Sequence, residues 1–311
     1  MAEPVTDANT GLGPPALDHN DGLVRICQGD STSLTFLQDA SVNLIVTSPP
    51  YNLDMAYGDY RDDKPYTAYL KWVERWAEEL YRVADVGGRA CINIPLDTNK
   101  GGKQAIYADY IASFRNAGWS YHTTIVWNEQ NISRRTAWGS WMSPTAPFVT
   151  APVEMIPVFY KEKWPRKKEH RTPTISRDEF LEWTLGIWTF AGERPSRFGH
   201  PAPFPEELPR RLIRLYSFRE DLVLDPFVGS GTTCAVAKAN GRHSIGVDID
   251  PGYCKLAIER CMGVYPHGPT QWFESSDRLW LTGAGPNQMS LPWNVALPVN
   301  PVADVTVKPA D

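Results

Sequence analysis

Between residues 22 and 262 the chain repeats one alternation, a short apolar run of strand length followed by a longer stretch whose apolar residues recur every three or four positions. Such an alternation builds a parallel sheet covered by helices, because a parallel strand can be reached only through a crossover long enough to hold a helix. Strands are predicted over Val42 to Val46, Arg89 to Ile94, His122 to Trp127, Glu154 to Tyr160, Asp221 to Asp225 and His243 to Val247. One helix is strongly marked: Tyr66, Tyr69, Leu70, Val73, Trp76, Ala77, Leu80 and Tyr81 fall on one face with charges between them, so the aromatic stripe is core. Further helices are expected over Lys103 to Asn116, Glu206 to Ser217, Thr232 to Asn240 and Tyr253 to Cys261. Residues 130 to 194 break the rhythm with prolines at 144, 147, 152, 157, 165 and 173, and read as a loop-rich insertion. The expected organisation is an N-terminal extension (1–21), a first half (22–129), the insertion (130–194), a second half (195–262) and a C-terminal extension (263–311) rich in Pro, Gly and Asn.

With 42% apolar and 22% charged residues in 311, the chain can bury a large core and carries no bias toward disorder. No apolar run reaches the roughly 18 residues of a membrane span. The first residues are polar and acidic, unlike a secretory leader, so a cytoplasmic location is expected. A net charge of −5 excludes a protein that coats DNA by charge alone and leaves room for a local basic cleft. Cys27, Cys91, Cys234, Cys254 and Cys261 form no CxxC pair and read as small buried apolar residues, with neither disulfide nor metal expected.

Two blocks carry chemistry. The first, Thr47-Ser48-Pro49-Pro50-Tyr51-Asn52, follows directly on a predicted strand, at the end where parallel sheets bind ligands. Two successive prolines stiffen the turn and remove two backbone donors, leaving carbonyl acceptors that suit an amino group. Ser48 adds a hydroxyl and Tyr51 a face for stacking, although a proline turn with a packing tyrosine would use the same residues. The second block, Val223 to Thr233, reads strand, glycine turn, helix start. Gly229 and Gly231 permit close approach of backbone to a ligand, and Ser230 or Thr232 can cap the helix. Asp248, ending the next strand in Ile245-Gly246-Val247-Asp248, is placed for ribose hydroxyls. No lysine follows Gly231, so a triphosphate-binding loop is excluded, and Cys234 stands where a dinucleotide fingerprint wants its third glycine. Asp225, just before the turn, points to a cationic ligand with an adenosyl group, or caps the turn itself.

Together these blocks resemble the DNA amino-methyltransferases, over about residues 23 to 262. The catalytic block precedes the cofactor block, as in the β-class permutation of that family. Gln28-Gly29-Asp30 is similar to the segment whose acidic residue meets the cofactor adenine, and Phe198-Gly199-His200-Pro201-Ala202-Pro203-Phe204-Pro205 to the segment preceding the Asp-Pro-Phe block. The resemblance implies an α/β, doubly wound, mostly parallel sheet of the S-adenosylmethionine-dependent methyltransferase type, circularly permuted, with a small inserted target-recognition region. It implies S-adenosyl-L-methionine as cofactor, held by Asp30, Asp225, Phe227, Gly229, Gly231, Thr232 and Asp248, and Ser48, Pro49, Pro50 and Tyr51 as the catalytic turn. Within the family Ser-Pro-Pro-Tyr accompanies cytosine N4 and Asp-Pro-Pro-Tyr adenine N6, so Ser48 favours N4 of a flipped cytosine in double-stranded DNA, in a restriction-modification-like setting. Adenine N6, an RNA or protein glutamine target, and a silent DNA-binding module are the rivals; the glutamine enzymes carry Asn where Ser48 stands.

An amino group conjugated to a ring is a poor nucleophile, and hydrogen bonds to Ser48 and the Pro49 carbonyl would pull it toward tetrahedral geometry for direct transfer. Methylation at cytosine C5 needs a nucleophilic cysteine, usually presented beside a proline; none of the five follows one. The target base must leave the duplex stack to be reached. DNA contacts are expected from Arg134 and Arg135, with Trp138 and Trp141 nearby, and from Lys163, Arg166, Lys167, Lys168 and Arg171. A homodimer and a cognate restriction endonuclease are partners the residues leave open.

Overall fold

The computed structural model describes residues 18–53, 56–57, 60–61, 63–99, 102–129, 139–140, 142–149, 153–192 and 204–263. In chain order these form β1 (Asp18–Asn20), β2 (Val24–Gln28), β3 (Val42–Thr47), β4 (Ala56–Tyr57), β5 (Tyr60–Arg61), α1 (Tyr66–Val83), β6 (Ala84–Ile92), β7 (Ile94–Pro95), β8 (Thr98–Asn99), β9 (Lys103–Gln104), α2 (Ile106–Asn116), β10 (Ser120–Asn128), β11 (Val153–Tyr160), α3 (Arg177–Trp183), β12 (Ile187–Thr189), α4 (Glu207–Tyr216), β13 (Leu222–Asp225), α5 (Thr232–Ala239), β14 (His243–Asp248) and α6 (Pro251–Cys261). One sheet runs β1-β2-β14-β13-β3-β6-β11-β10-β12, with β7 paired to β11. Its centre, from β2 to β6, is parallel; β1, and β11 against both β6 and β10, are antiparallel.

The doubly wound arrangement follows from alternation along the central strands. Leu44 and Val46 of β3, with Val223 of β13, face a core made with Leu208, Leu212 and Ile213 of α4 and Val236 of α5. Their neighbours Ile45 and Leu224 face the opposite core, made with Tyr69, Val73, Trp76 and Leu80 of α1 and Tyr110 and Phe114 of α2. The aromatic stripe of α1 is buried as expected, with Trp76 edge-on to Phe114 at 5.2 Å.

Three departures from expectation have local causes. β2 carries Val24, Ile26 and Cys27 buried against β14, in a run too short to stand out beside the Gln28-Gly29-Asp30 turn. β1, within the expected N-terminal extension, pairs in register with β2 and ties Arg25 to Asp18 at 2.7 Å. The segment 130–194 is not wholly an insertion, because β11 lies inside the sheet between β6 and β10, and β12 lengthens the edge beside β10. Pro157 sits in β11 without breaking it, and α3 starts at a capping box between Ser176 and Glu179 that outweighs its modest apolar pattern. All five cysteines are buried and unpaired, and burial pushes the thiols of Cys27 and Cys254 up to about 12, leaving them inert. Among the described residues no helix is long and apolar enough to cross a membrane.

Candidate active site

Adjacent strands β3 and β13 continue in opposite directions across the sheet, β3 through α1 to β6 and β13 through α5 to β14. A crevice opens at such a switch point, outside the carboxyl ends of the strands. The loops after β2, β3, β13 and β14 all end there, and they enclose a cavity of about 300 Å³. Its walls include Ser48, Pro49, Pro50 and Tyr51 from the first sequence block, Phe227, Gly229, Ser230 and Thr232 from the second, and Asp30 and Asp248. Residues far apart in the chain therefore meet as the two blocks required.

The loops are tied to one another by backbone. Val228 N donates to Val247 O at 2.8 Å, Gly29 N to Asp248 O at 2.9 Å, and Ser31 Oγ to Pro226 O at 2.7 Å. Asp248 holds the glycine turn from within the cavity: its carboxylate accepts from Gly229 N and from Asp250 N, each at 3.0 Å. Burial raises its carboxyl to about 6, against the opposing pull of those amides. Phe227 is wedged between Trp72, at 5.5 Å, and Trp76, edge-on at 5.3 Å, so α1 fixes the ring that forms one wall.

Two expected cofactor residues have other duties. Asp225 does not reach the cavity; it is 1% exposed and accepts from Thr47 Oγ1 at 2.7 Å and from Phe227 N at 3.1 Å. It joins the strand carrying the diproline turn to the strand carrying the glycine turn, and burial raises its carboxyl to about 6. The turn-capping alternative describes it better than direct contact with a cation. Gly231 also lies off the cavity. Its φ is +83°, and a Cβ there would come within 2.8 Å of the Ala257 Cα, so the glycine admits α6 rather than a ligand. Thr232 does line the cavity, with Oγ1 accepting at 2.8 Å from buried Arg260, which also reaches Glu206 at 2.8 Å.

In the Ser48-Pro49-Pro50-Tyr51 turn, Ser48 Oγ and Tyr51 Oη are 2.5 Å apart, and Tyr51 Oη donates to Asn93 O at 3.1 Å. Tyr69 Oη donates to Pro50 O at 2.8 Å. Among the described residues the Pro49 carbonyl takes no hydrogen bond, which leaves it free for a ligand. Asn52 holds φ +59° and closes the loop by donating to Lys64 O at 2.8 Å.

The basic stretch 161–171 is not beside the cavity. Antiparallel pairing puts Tyr160 opposite Arg89, which pairs with Leu44 in the first half of β3, and Lys161 bonds on to Gly87 and Gly88, so the chain beyond β11 emerges at the amino ends of the parallel strands. Arg166, whose side chain is 3% exposed, is paired with Asp221 at 2.7 Å, just before β13, and that guanidinium has no surface to offer a phosphate. Arg171 stands 4.0 Å from the same carboxylate, and Lys163, Lys167 and Lys168 are exposed on that end of the sheet. Asp221 and Asp225 bound β13 at its two ends, about 13 Å apart at the usual strand rise. Charge in the sequence revealed the cluster, whereas only the strand direction reveals which end it occupies. Arg134, Arg135, Trp138, Trp141 and the stretch 198–203 lie outside the described residues. Sequence reasoning missed Lys64, Trp72, Arg75 and Tyr253, which line the cavity from α1, its approach and α6. Trp72 could have been found from the α1 pattern, being one turn from Trp76 at the edge of the apolar face.

A doubly wound sheet with a diproline turn and a glycine turn meeting at its switch point is the architecture of the α/β methyltransferases. The DNA methylase family of N6 and N4 enzymes matches residues 42–259, and the chain belongs to it. It is thus a DNA methyltransferase. The Type II methyltransferase M.MjaVI of Methanocaldococcus jannaschii is 52% identical over 157 residues, 50% of this chain and 80% of its own length. M.MjaI of the same organism is 32% identical across 77% of this chain and 91% of its own. Among solved structures, a DNA modification methylase from Thermus thermophilus complexed with S-adenosyl-L-methionine superposes with a TM-score of 0.61 at 28% identity, covering 78% of this chain and 97% of that one. The cytosine-N4-specific PvuII DNA methyltransferase, at 21% identity and TM-score 0.58 over 77% of this chain and 86% of its own, shares the fold.

Proposed function

We propose that the chain is a site-specific DNA methyltransferase that moves a methyl group from S-adenosyl-L-methionine to N4 of a cytosine flipped out of double-stranded DNA. The observation that carries the proposal is the placing of Ser48 and Pro49 on the same cavity wall system as Phe227, Gly229 and Asp248. The residues present suit the cofactor: the Asp30 and Asp248 carboxylates favour a cationic ligand with sugar hydroxyls, and Phe227 with Trp72 offers an apolar wall for a purine. When bound, the cofactor supplies an electrophilic methyl carbon on a sulfonium.

The protein's own groups would do the rest. The Ser48 hydroxyl and Pro49 carbonyl accept from the two N–H groups of the exocyclic amine and turn its lone pair toward the methyl carbon. Asp30, Asp248 and Phe227 would hold the cofactor, which would supply the methyl group and leave as a neutral thioether, while the amine held by Ser48 and Pro49 would release one proton to solvent. A neutral serine at position 48, where N6 enzymes of the family carry aspartate, supports cytosine over adenine. Arg134 and Arg135 remain proposed DNA contacts, and Lys64 and Arg75 at the cavity fit a phosphate of the flipped nucleotide. That the relatives are Type II methyltransferases supports a restriction-modification setting with a cognate endonuclease.

The test is nucleoside mass spectrometry of unmethylated genomic DNA incubated with protein and S-adenosyl-L-methionine. N4-methylcytosine is expected; N6-methyladenine would overturn the base assignment. Ser48→Ala should abolish transfer while cofactor binding survives, and loss of cofactor affinity in that variant would overturn its catalytic role.

A further inference from the structure

We propose that Asn93 and Glu154 are a positioning pair that fixes the direction of the Tyr51–Ser48 hydroxyl chain, so that Ser48 meets the target as an acceptor only. This rests on an exocyclic amine being the methyl acceptor. Each hydroxyl has a single proton to give. Tyr51 Oη lies 3.1 Å from the Asn93 backbone carbonyl, which can only accept, and 3.3 Å from Asn93 Nδ2, which can only donate. Tyr51 therefore gives its proton to the carbonyl, and its 2.5 Å bond with Ser48 must take the proton of Ser48. Ser48 is left with lone pairs alone toward the cavity.

That outcome depends on which way the Asn93 amide faces. Asn93 is 1% exposed, and its Oδ1 has no hydrogen-bond partner among the described residues, so nothing on the oxygen side holds the group. Its Nδ2 donates to the Glu154 carboxylate, a pure acceptor. A flipped amide would turn Oδ1 against that carboxylate and offer Tyr51 a second acceptor, scrambling the chain. Asn93 is the single residue joining β6 to β7, its backbone N donating to Thr47 O at 2.8 Å, and Glu154 lies in β11 opposite Pro95, so the pair is held close to the sheet.

The consequence is selectivity at the reacting group. Ser48 and the Pro49 carbonyl become two acceptors, complementary to the two donors of an amino group. An oxo group at the same place, as on thymine or guanine, would meet only lone pairs.

The experiment measures single-turnover methyl transfer to duplex DNA, together with cofactor dissociation constants by titration, for wild type, Glu154→Leu, Glu154→Gln and Tyr51→Phe. Glu154→Leu should slow transfer on the order of a hundredfold, the cost of a reacting group displaced by about 1 Å, with cofactor affinity unchanged. Glu154→Gln, whose Oε1 still accepts from Nδ2, should recover most of that loss. Tyr51→Phe keeps the ring and removes the acceptor for the Ser48 proton, so it should fall with Glu154→Leu. Equal rates in all four, a Gln variant as slow as the Leu variant, or a loss confined to cofactor affinity would overturn the proposal. If Glu154→Leu fails to fold, the Gln and Phe variants decide. Wild type that methylates no exocyclic amine would refute the proposed function and this inference together, whereas active wild type with unaffected variants refutes this inference alone.

Discussion

Replacing Asp248 by asparagine separates its structural role from its proposed role toward the cofactor. The carboxylate accepts from Gly229 N and Asp250 N with one oxygen each. Asparagine has one carbonyl oxygen, so one of those amides must face an NH2 group. Hydrogen bonds to a charged group contribute about 1.5–3 kcal/mol. A bond from the same carboxylate to a cofactor hydroxyl would be of that order too, so at about 1.4 kcal/mol per factor of ten cofactor affinity should fall roughly ten- to 150-fold. Titration adds a second readout. Burial raises the carboxyl from 3.8 to about 6, so acidification through about 6 converts it to the poorer, neutral acceptor. Wild-type affinity should therefore drop by up to about tenfold per pH unit below that point, and the Asn variant should lose most of this slope. Asp225, also raised to about 6, faces Thr47 and the Phe227 amide instead of the ligand and supplies the residual slope. In the ligand-free protein the sign is opposite. A folded pKa above the unfolded one means the native state binds the extra proton, so stability falls as pH rises from about 4 to about 6. Calorimetric titration across pH with S-adenosyl-L-methionine checks the binding, and wild-type affinity that stays flat through this range would refute the assignment of Asp248 to the ligand.

Arg166→Ala should destabilise the fold by about 1–3 kcal/mol in denaturant titration, because buried Asp221 loses its short charged partner and keeps the Phe218 amide and the more distant Arg171. Lys163, Lys167 and Lys168 replaced together by Gln should leave affinity for duplex DNA unchanged in a gel-shift assay, since they lie at the amino ends of the strands. Gly231→Ala should cost about 1–3 kcal/mol or more of stability, as the new Cβ meets the Ala257 backbone, and thermal unfolding would report it.

Strands β3, β6, β13 and β14 and five helices were legible because their apolar runs are long and unambiguous, whereas β2 was not. The place of Asp248 on the cavity was legible too, because a carboxylate after a strand, next to a glycine turn, has few other places to go. That of Asp225 was not, since its partner Thr47 belongs to a strand whose neighbour cannot be named until the sheet order is known. The same ignorance of strand direction misplaced the basic stretch after β11. Asn93 gave no signal at all: an asparagine following an apolar strand becomes informative only when Tyr51 and Glu154 are found on either side of it.

β2 pairs with β14 from Val24 opposite Ser244 to Gln28 opposite Asp248. During synthesis the early strand waits for its partner until the late one leaves the ribosome, on the order of ten to forty seconds at ordinary elongation rates. Through that interval an apolar strand edge is open to the wrong neighbours, and no methyl transfer can begin. The chain order that splits the site between early strands (β2, β3) and late ones (β13, β14) thus makes activity one of the last properties a newly made molecule acquires, and makes this strand edge the place where chaperones or aggregation would act first.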